Sequence, residues 1–143
     1  MPKHWIFVTS PENYNICFKY RVYGVDERYK VTVEKHLEPG DMVIFYIKEK
    51  KVFRGPWRVV NKGTYNPKHE AVNKWKPSGK FIYVIPIEPA NNLGECSLTN
   101  IFNDLLFLTN RKKGKGGYSD HFQFSIISIR EEDFNTIINH MSI

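Results

Sequence analysis

The chain has 143 residues, with 21 Lys and Arg against 15 Asp and Glu, for a net charge of +6. Its 41% hydrophobic and 25% charged content fits one folded domain over residues 1–143 and excludes disordered or collagen-like chains. At this length a core forms without disulfide or zinc staples, and no run approaches the ~20 apolar residues of a membrane helix.

The start, Met1-Pro2-Lys3-His4-Trp5, has no signal-peptide core, so an intracellular, cytoplasmic protein without a membrane partner is expected. Trp5 to Thr9 is a short apolar, β-branched run that predicts a strand. Ser10-Pro11-Glu12 then predicts a helix with Ser10 as its cap and Pro11 in its first position. That helix carries Tyr14, Ile16, Cys17 and Phe18 and ends before Tyr20. Glu38-Pro39-Gly40-Asp41 fits a type II turn leading into Met42 to Ile47, whose continuous apolar character predicts a mid-sheet strand covered on both faces.

Lys48 to Lys51 turn the chain into a strand over Val52 to Val60, where Gly55-Pro56 signals a bulge or a close approach. Residues 61–79 are polar and read as a long functional excursion rather than a core element. Lys80 to Ile87 predicts a further strand followed by a polar turn, and Leu98, Ile101, Phe102, Leu105 and Leu106 have helical spacing. Residues 111–117 form a basic loop with four cations and no acid. Phe122 to Ile126 alternates as a strand does. Glu131 to His140 predicts a closing helix with Phe134, Ile137, Ile138 and Met141 on one face and three acids in its first turn. Five or six strands, a few short helices and no regular βα alternation predict an α+β domain built on a small mixed β-barrel.

The chemistry of common enzyme motifs is missing. His4, His36, His69, His121 and His140 stand apart, without the spacing of metal ligands, and Cys17 and Cys96 read as two buried thiols. Gly114-Lys115-Gly116-Gly117 matches neither the Walker nor the Rossmann pattern, and no nucleophile elbow occurs. Neither a metal nor a cofactor is expected. The 15% aromatic content, three Trp included, coincides with a basic balance. Cations attract phosphate and flat rings stack on bases, so RNA or DNA is the first partner to consider. The plainer alternative is a basic surface over an aromatic-rich core.

Trp5 through Tyr14, Tyr23-Gly24-Val25, Pro39-Gly40-Asp41 and Phe53-Arg54-Gly55 together resemble an EVE domain, as do Asn103-Asp104-Leu105 and Arg130 to Phe134 near the end. The resemblance spans nearly the whole chain. It implies a PUA-like β-barrel with short flanking helices, related to the YTH readers of methylated RNA and to ASCH domains. It also implies a module that binds a modified base, flipped or single-stranded, in an aromatic pocket without altering it.

Ser10, Pro11 and Asn13 match the strand-to-helix junction that borders the base pocket in the YTH relatives, and Tyr23, Gly24 and Val25 match its next wall. Asp26 stands where YTH domains carry a tryptophan, so one expected cage wall is replaced by an acceptor that either meets a base edge or pairs with Arg28. Trp75 lies where YTH domains carry a second cage aromatic. Flanked by Lys74 and Lys76 in a polar loop, it has little reason to be core, and it either faces a ligand or clamps its loop. Trp57, after the Phe-x-Gly strand, reads first as core, with a place in the candidate pocket as its alternative, and Tyr118, His121 and Phe122, after the basic loop, either line that pocket or are ordinary strand residues. Arg111, Lys112, Lys113 and Lys115, with Lys74 and Lys76, are the candidate phosphate contacts. Two rival readings stay open: an ASCH-like hydrolase acting on a nucleoside, and a protein-interaction module.

Overall fold

The computed structural model describes residues 2–105 and 126–142. Seven strands form one mixed sheet in the order β2-β6-β4-β3-β1-β7, with the short β5 paired to β6. These are β1 (His4–Thr9), β2 (Val22–Val25), β3 (Met42–Ile47), β4 (Val52–Val59), β5 (Thr64–Tyr65), β6 (Tyr83–Ser97) and β7 (Ile126–Ile129). Helix α1 (Pro11–Tyr20) follows β1, α2 (Leu98–Ile101) follows β6, and α3 (Glu131–Asn139) follows β7. The sheet curls into a half-barrel of the PUA-like kind. β1 and β3 run parallel, with Trp5 opposite Val43 and Phe7 opposite Phe45, which requires a crossover connection; α1 and β2 lie within it.

Each central strand feeds two cores. Trp5 and Phe7 of β1, with Val43, Phe45 and Ile47 of β3, face inside the curl toward Tyr14, Trp57 and Trp75. Ile6 and Val8, with Ile44 and Tyr46, face the other way, toward Phe134 and Ile137 of α3. The period-two alternation of a strand thus explains the unbroken apolar run of β3: both of its faces are covered. In β4 the Gly55-Pro56 step is a bulge, as the sequence suggests, with the register shifting against both neighbours. Upstream of it Phe53 faces the outer core; downstream Trp57 and Val59 face the inner one. An extra residue reverses the facing of every side chain beyond it, and this aims Trp57 inward.

The helix and turn signals are also met. Ser10 Oγ accepts from the Asn13 N–H at 3.2 Å, and Gly40 has φ +92° in a turn closed by Asp41 N–H to Glu38 C=O at 3.1 Å. Asp41, 2% exposed, then ties its own turn to the start of β1. It accepts from Trp5 Nε1, Lys3 N and Glu38 N, each at 3.0 Å.

Three expectations are corrected. β6 runs 15 residues to Ser97 where a polar turn after Ile87 is expected; it pairs with β2 over residues 83–86 and with β4 from Ile87 to Ser97, and the exposed Asn91 and Asn92 fall where its register against β4 shifts. The helix after Ser97 spans four residues before tightening into a 3-10 turn, Phe102–Asp104. Residues 61–79 do contribute to the core: Ala71, Val72 and Trp75 are buried. Of the expected strand ending at Ile126, only that last residue lies within the described residues.

Asp41→Ala leaves three donors without their acceptor, and at about 1–3 kcal/mol for a buried orphan group it is expected to lower unfolding free energy by at least about 2 kcal/mol, as measured by urea denaturation.

Candidate nucleic-acid interface

A cavity of about 250 Å³ opens between the β1–α1 junction, β2 and the loop after the 3-10 turn Glu70–Asn73. Trp75 forms its wall. The indole is 1% exposed and lies directly on the Gly24 backbone: a Cβ on Gly24 would stand 2.3 Å from Trp75 Cζ3. Only glycine admits the ring this close. Phe81 meets Trp75 edge-on at 6.3 Å between ring centroids and also borders the cavity.

The wall is held from two sides. Asn13 Nδ2 donates to Lys76 C=O and Asn13 Oδ1 accepts from Lys76 N–H, both at 2.8 Å, so one side-chain amide pairs with the loop backbone as a strand neighbour would. Trp75 N–H donates to Ala71 C=O at 3.0 Å, closing the turn that presents the ring. Tyr23 is fixed as well, stacked on Phe7 at 4.4 Å, with its hydroxyl donating to Val8 C=O at 2.7 Å.

Cys17 lies on the cavity lining, below Asn13 on the same face of α1. Burial pushes its thiol up to about 12, and the neighbouring Trp75 indole offsets only part of this. Cys17 is therefore a neutral thiol at physiological pH, not a ready nucleophile. Arg28, Lys48, Lys76 and Lys80 stand on the lining. Asp26 sits behind them, accepting from Arg28 Nε at 3.1 Å and Nη2 at 3.0 Å, with Lys80 Nζ at 4.0 Å. Burial opposes ionisation of Asp26, but the Arg28 hydrogen bonds and charge, with Lys80, outweigh it and hold the carboxyl below its ordinary value. Asp26 thus takes the second of the two roles its position suggests, pairing with Arg28.

Of the residues singled out in the sequence, Ser10, Asn13, Tyr23, Gly24, Trp75 and Lys76 line this cavity. Pro11, Val25, Asp26 and Lys74 do not. Trp57 takes the core role and not its pocket alternative: it is fully buried, packed edge-on against Phe45 at 5.6 Å, because the β4 bulge turns it inward. Trp75 is itself core, contrary to the inference from its lysine neighbours, yet one side of it still lines the cavity. Tyr118, His121, Phe122, Arg111, Lys112, Lys113 and Lys115 lie outside the described residues. Sequence reasoning missed Val8, Thr9, Cys17, Arg28, Lys48, Pro77, Lys80 and Phe81. Ser10, Asn13 and Cys17 recur at i, i+3 and i+7, so helical spacing from the cap could have found Cys17. Among the described residues no three His, Cys, Asp or Glu side chains gather to hold a metal ion, and no helix is long and apolar enough to cross a membrane.

A curled mixed sheet with a cavity beside the first strand-to-helix junction defines a PUA-like domain, the fold shared by YTH and EVE domains. Residues 3–140 match the EVE domain model, and the chain belongs to that family. UPF0310 protein PH1033 of Pyrococcus horikoshii is 29% identical, covering 94% of this chain and 95% of its own. Two solved structures share the fold at low identity. The Pho92 YTH domain in complex with m6A has a TM-score of 0.67 at 12% identity, over 96% of this chain and 82% of its own. Human THYN1 protein in complex with 5-methylcytosine-containing DNA has a TM-score of 0.58 at 11% identity, over 96% of both chains.

Gly24→Ala is expected to displace the Trp75 ring and destabilise the fold by about 1–3 kcal/mol, the usual cost of overpacking, read as a lower Tm with altered tryptophan fluorescence. A second expectation concerns pH. Because the folded-state pKa of Asp26 is lowered, its ionised form stabilises the fold above its unfolded value of about 3.9, and this is lost as pH falls through the lower folded value. The stability difference between wild type and Asp26→Asn, measured by denaturation at several pH values, should therefore be steady above about pH 5 and shrink in acid.

Proposed function

We propose that this EVE domain binds single-stranded or locally opened RNA or DNA and holds one base, preferentially a modified one, against Trp75. The observation that carries this reading is a hollow of about 250 Å³ with an indole wall and four cations on its lining. Its volume is slightly below the roughly 300–1,000 Å³ of pockets for drug-sized ligands, which suits one base. The structures of Pho92 with m6A and of THYN1 with 5-methylcytosine-containing DNA lend support from the same fold.

The chain's residues divide the work by their chemistry. Lys48, Lys76, Lys80 and the Asp26-paired Arg28 attract phosphates, giving sequence-independent affinity that falls with salt. A base entering the cavity must leave its stack, at a cost of a few kcal/mol in a duplex and less in a single strand. Contact with an aromatic wall returns about 1–3 kcal/mol per base. Ser10, Thr9 and the backbone around them offer hydrogen-bonding groups to the base edge. One buried methyl adds about 0.8 kcal/mol, so a roughly fourfold preference for a methylated base follows from burial alone.

The test is a binding series on single-stranded and duplex oligonucleotides carrying 5-methylcytosine, N6-methyladenine or no modification, at two salt concentrations. The expected result is salt-dependent binding, strongest for a single strand with one of the modified bases, weakened about tenfold or more by Lys48→Ala with Lys80→Ala, two cation contacts removed. Equal affinity for every strand and base would leave only a phosphate-binding surface, and release of an altered nucleoside would favour the hydrolase reading instead.

A further inference from the structure

Across α1 from the first cavity lies a second cleft of about 250 Å³, between the helix and the β3–β4 hairpin. Where Ser10, Asn13 and Cys17 face the first cavity, Pro11, Tyr14 and Phe18 face this one. Helix α1 is a partition with a concavity on each side, and the motifs of the sequence account for only one of them.

Buried polar groups meet at the floor of this cleft. Tyr14 Oη, Arg54 Nε and Trp57 Nε1 are all buried, and among the described residues none completes a hydrogen bond of ordinary geometry; the Arg54 guanidinium and the Trp57 indole turn toward the Tyr14 hydroxyl oxygen, which leaves the phenol's own proton without an acceptor. They are close together: Arg54 lies over the Tyr14 ring at 5.6 Å, and the Tyr14 and Trp57 rings meet edge-on at 6.3 Å. Tyr14 is 6% exposed and lines the cleft. Buried polar groups without a partner are rare in folded proteins. Guanidinium and indole N–H groups only donate, and a phenol needs an acceptor for its own proton even when it accepts from a neighbour.

The charge around them has the same sign. Arg54 and Lys50 line the cleft, and Arg21 lies over the adjoining Phe18 and Trp57 rings at 4.8 and 5.4 Å. The lining itself sets two cations, Lys50 and Arg54, against one carboxylate, Glu95, which is already joined to Arg54 Nη1 at 3.2 Å. A water can accept two hydrogen bonds. The Tyr14 proton, the Arg54 guanidinium and the Lys50 ammonium, all on the lining, suit an acceptor with several oxygens and negative charge.

We propose that the cleft between α1 and the β3–β4 hairpin is an oxyanion site for phosphate, with Tyr14 and Arg54 as its donors and Lys50 as its counter-charge. The phosphate comes either from a strand whose base occupies the first cavity and whose backbone passes over the start of α1, or from a free phosphate. The site does not depend on base recognition across the helix.

The indole N–H signals of the three tryptophans separate the two sites in a nitrogen–proton correlation spectrum. Trp57 adjoins the second cleft, Trp75 walls the first, and Trp5, bound to Asp41 at 3.0 Å, is the internal control. Titration with inorganic phosphate, against sodium chloride at matched ionic strength, should move the Trp57 signal saturably and leave Trp5 still. Tyr14→Phe, which keeps the ring packing, and Arg54→Gln should each weaken the phosphate midpoint by about tenfold, the usual worth of a hydrogen bond to a charged group. An unmodified oligonucleotide that moves Trp57 and Trp75 with one midpoint identifies the strand as the phosphate source. One that moves Trp75 alone, while phosphate moves Trp57, identifies the free ion. If neither moves Trp57 saturably, or Tyr14→Phe and Arg54→Gln respond as wild type does, the proposal is overturned. A still Trp75 beside a responsive Trp57 would instead overturn base binding and uphold this site.

Discussion

The contact on which the candidate site depends is that of the Trp75 indole lying on the bare backbone of Gly24. Burying a tryptophan removes about 150–250 Å² from water, worth up to about 4–6 kcal/mol at 25 cal/mol per Å². Ordering the six residues from Lys74 to Gly79 costs about 1–2 kcal/mol each in backbone entropy. The ring alone therefore does not hold the loop. The paired hydrogen bonds from Asn13 to Lys76 and the burial of Ala71 and Val72 supply the remainder, so wall, clamp and turn stand or fall together. A lysine-rich segment folds back onto the domain because it carries one large apolar ring with one matching flat place to land.

That arrangement explains which parts were legible in the sequence. β3, the Pro39-Gly40 turn, the Ser10 cap and the closing helix follow from local signals: alternation, a residue that tolerates positive φ, a side-chain acceptor before a helix, a repeating apolar face. Ser10, Asn13, Tyr23, Gly24 and Trp75 were found together through resemblance to EVE domains, and the structure brings them around one cavity. The roles within that set were not legible. Asn13 holds the loop backbone, and Gly24 matters for what it lacks. Neither role is visible without knowing that Lys76, 63 positions beyond Asn13, and Trp75, 51 beyond Gly24, land there.

The two alternatives for Trp57 are decided by a similar cause. Composition cannot distinguish a tryptophan that faces a ligand from one that fills a core, and the deciding event was the strand reversal at Gly55-Pro56. Trp75 is buried as well, since its flanking lysines point to solvent while the residue between them turns inward. Both cases show facing set by backbone irregularity rather than by neighbours in sequence. Arg28 and Lys80 were missed because their cationic role is set by Asp26, which ties them to the cavity edge from behind.

A crystal structure of the protein with a short single strand bearing one modified base tests the central claim most directly. The account predicts that base in the cavity against Trp75, with Asn13 still bonded to the Lys76 backbone and the neighbouring phosphates near Lys48 and Lys80. A strand bound elsewhere on the surface, with the cavity beside Gly24 closed or untouched, would contradict it.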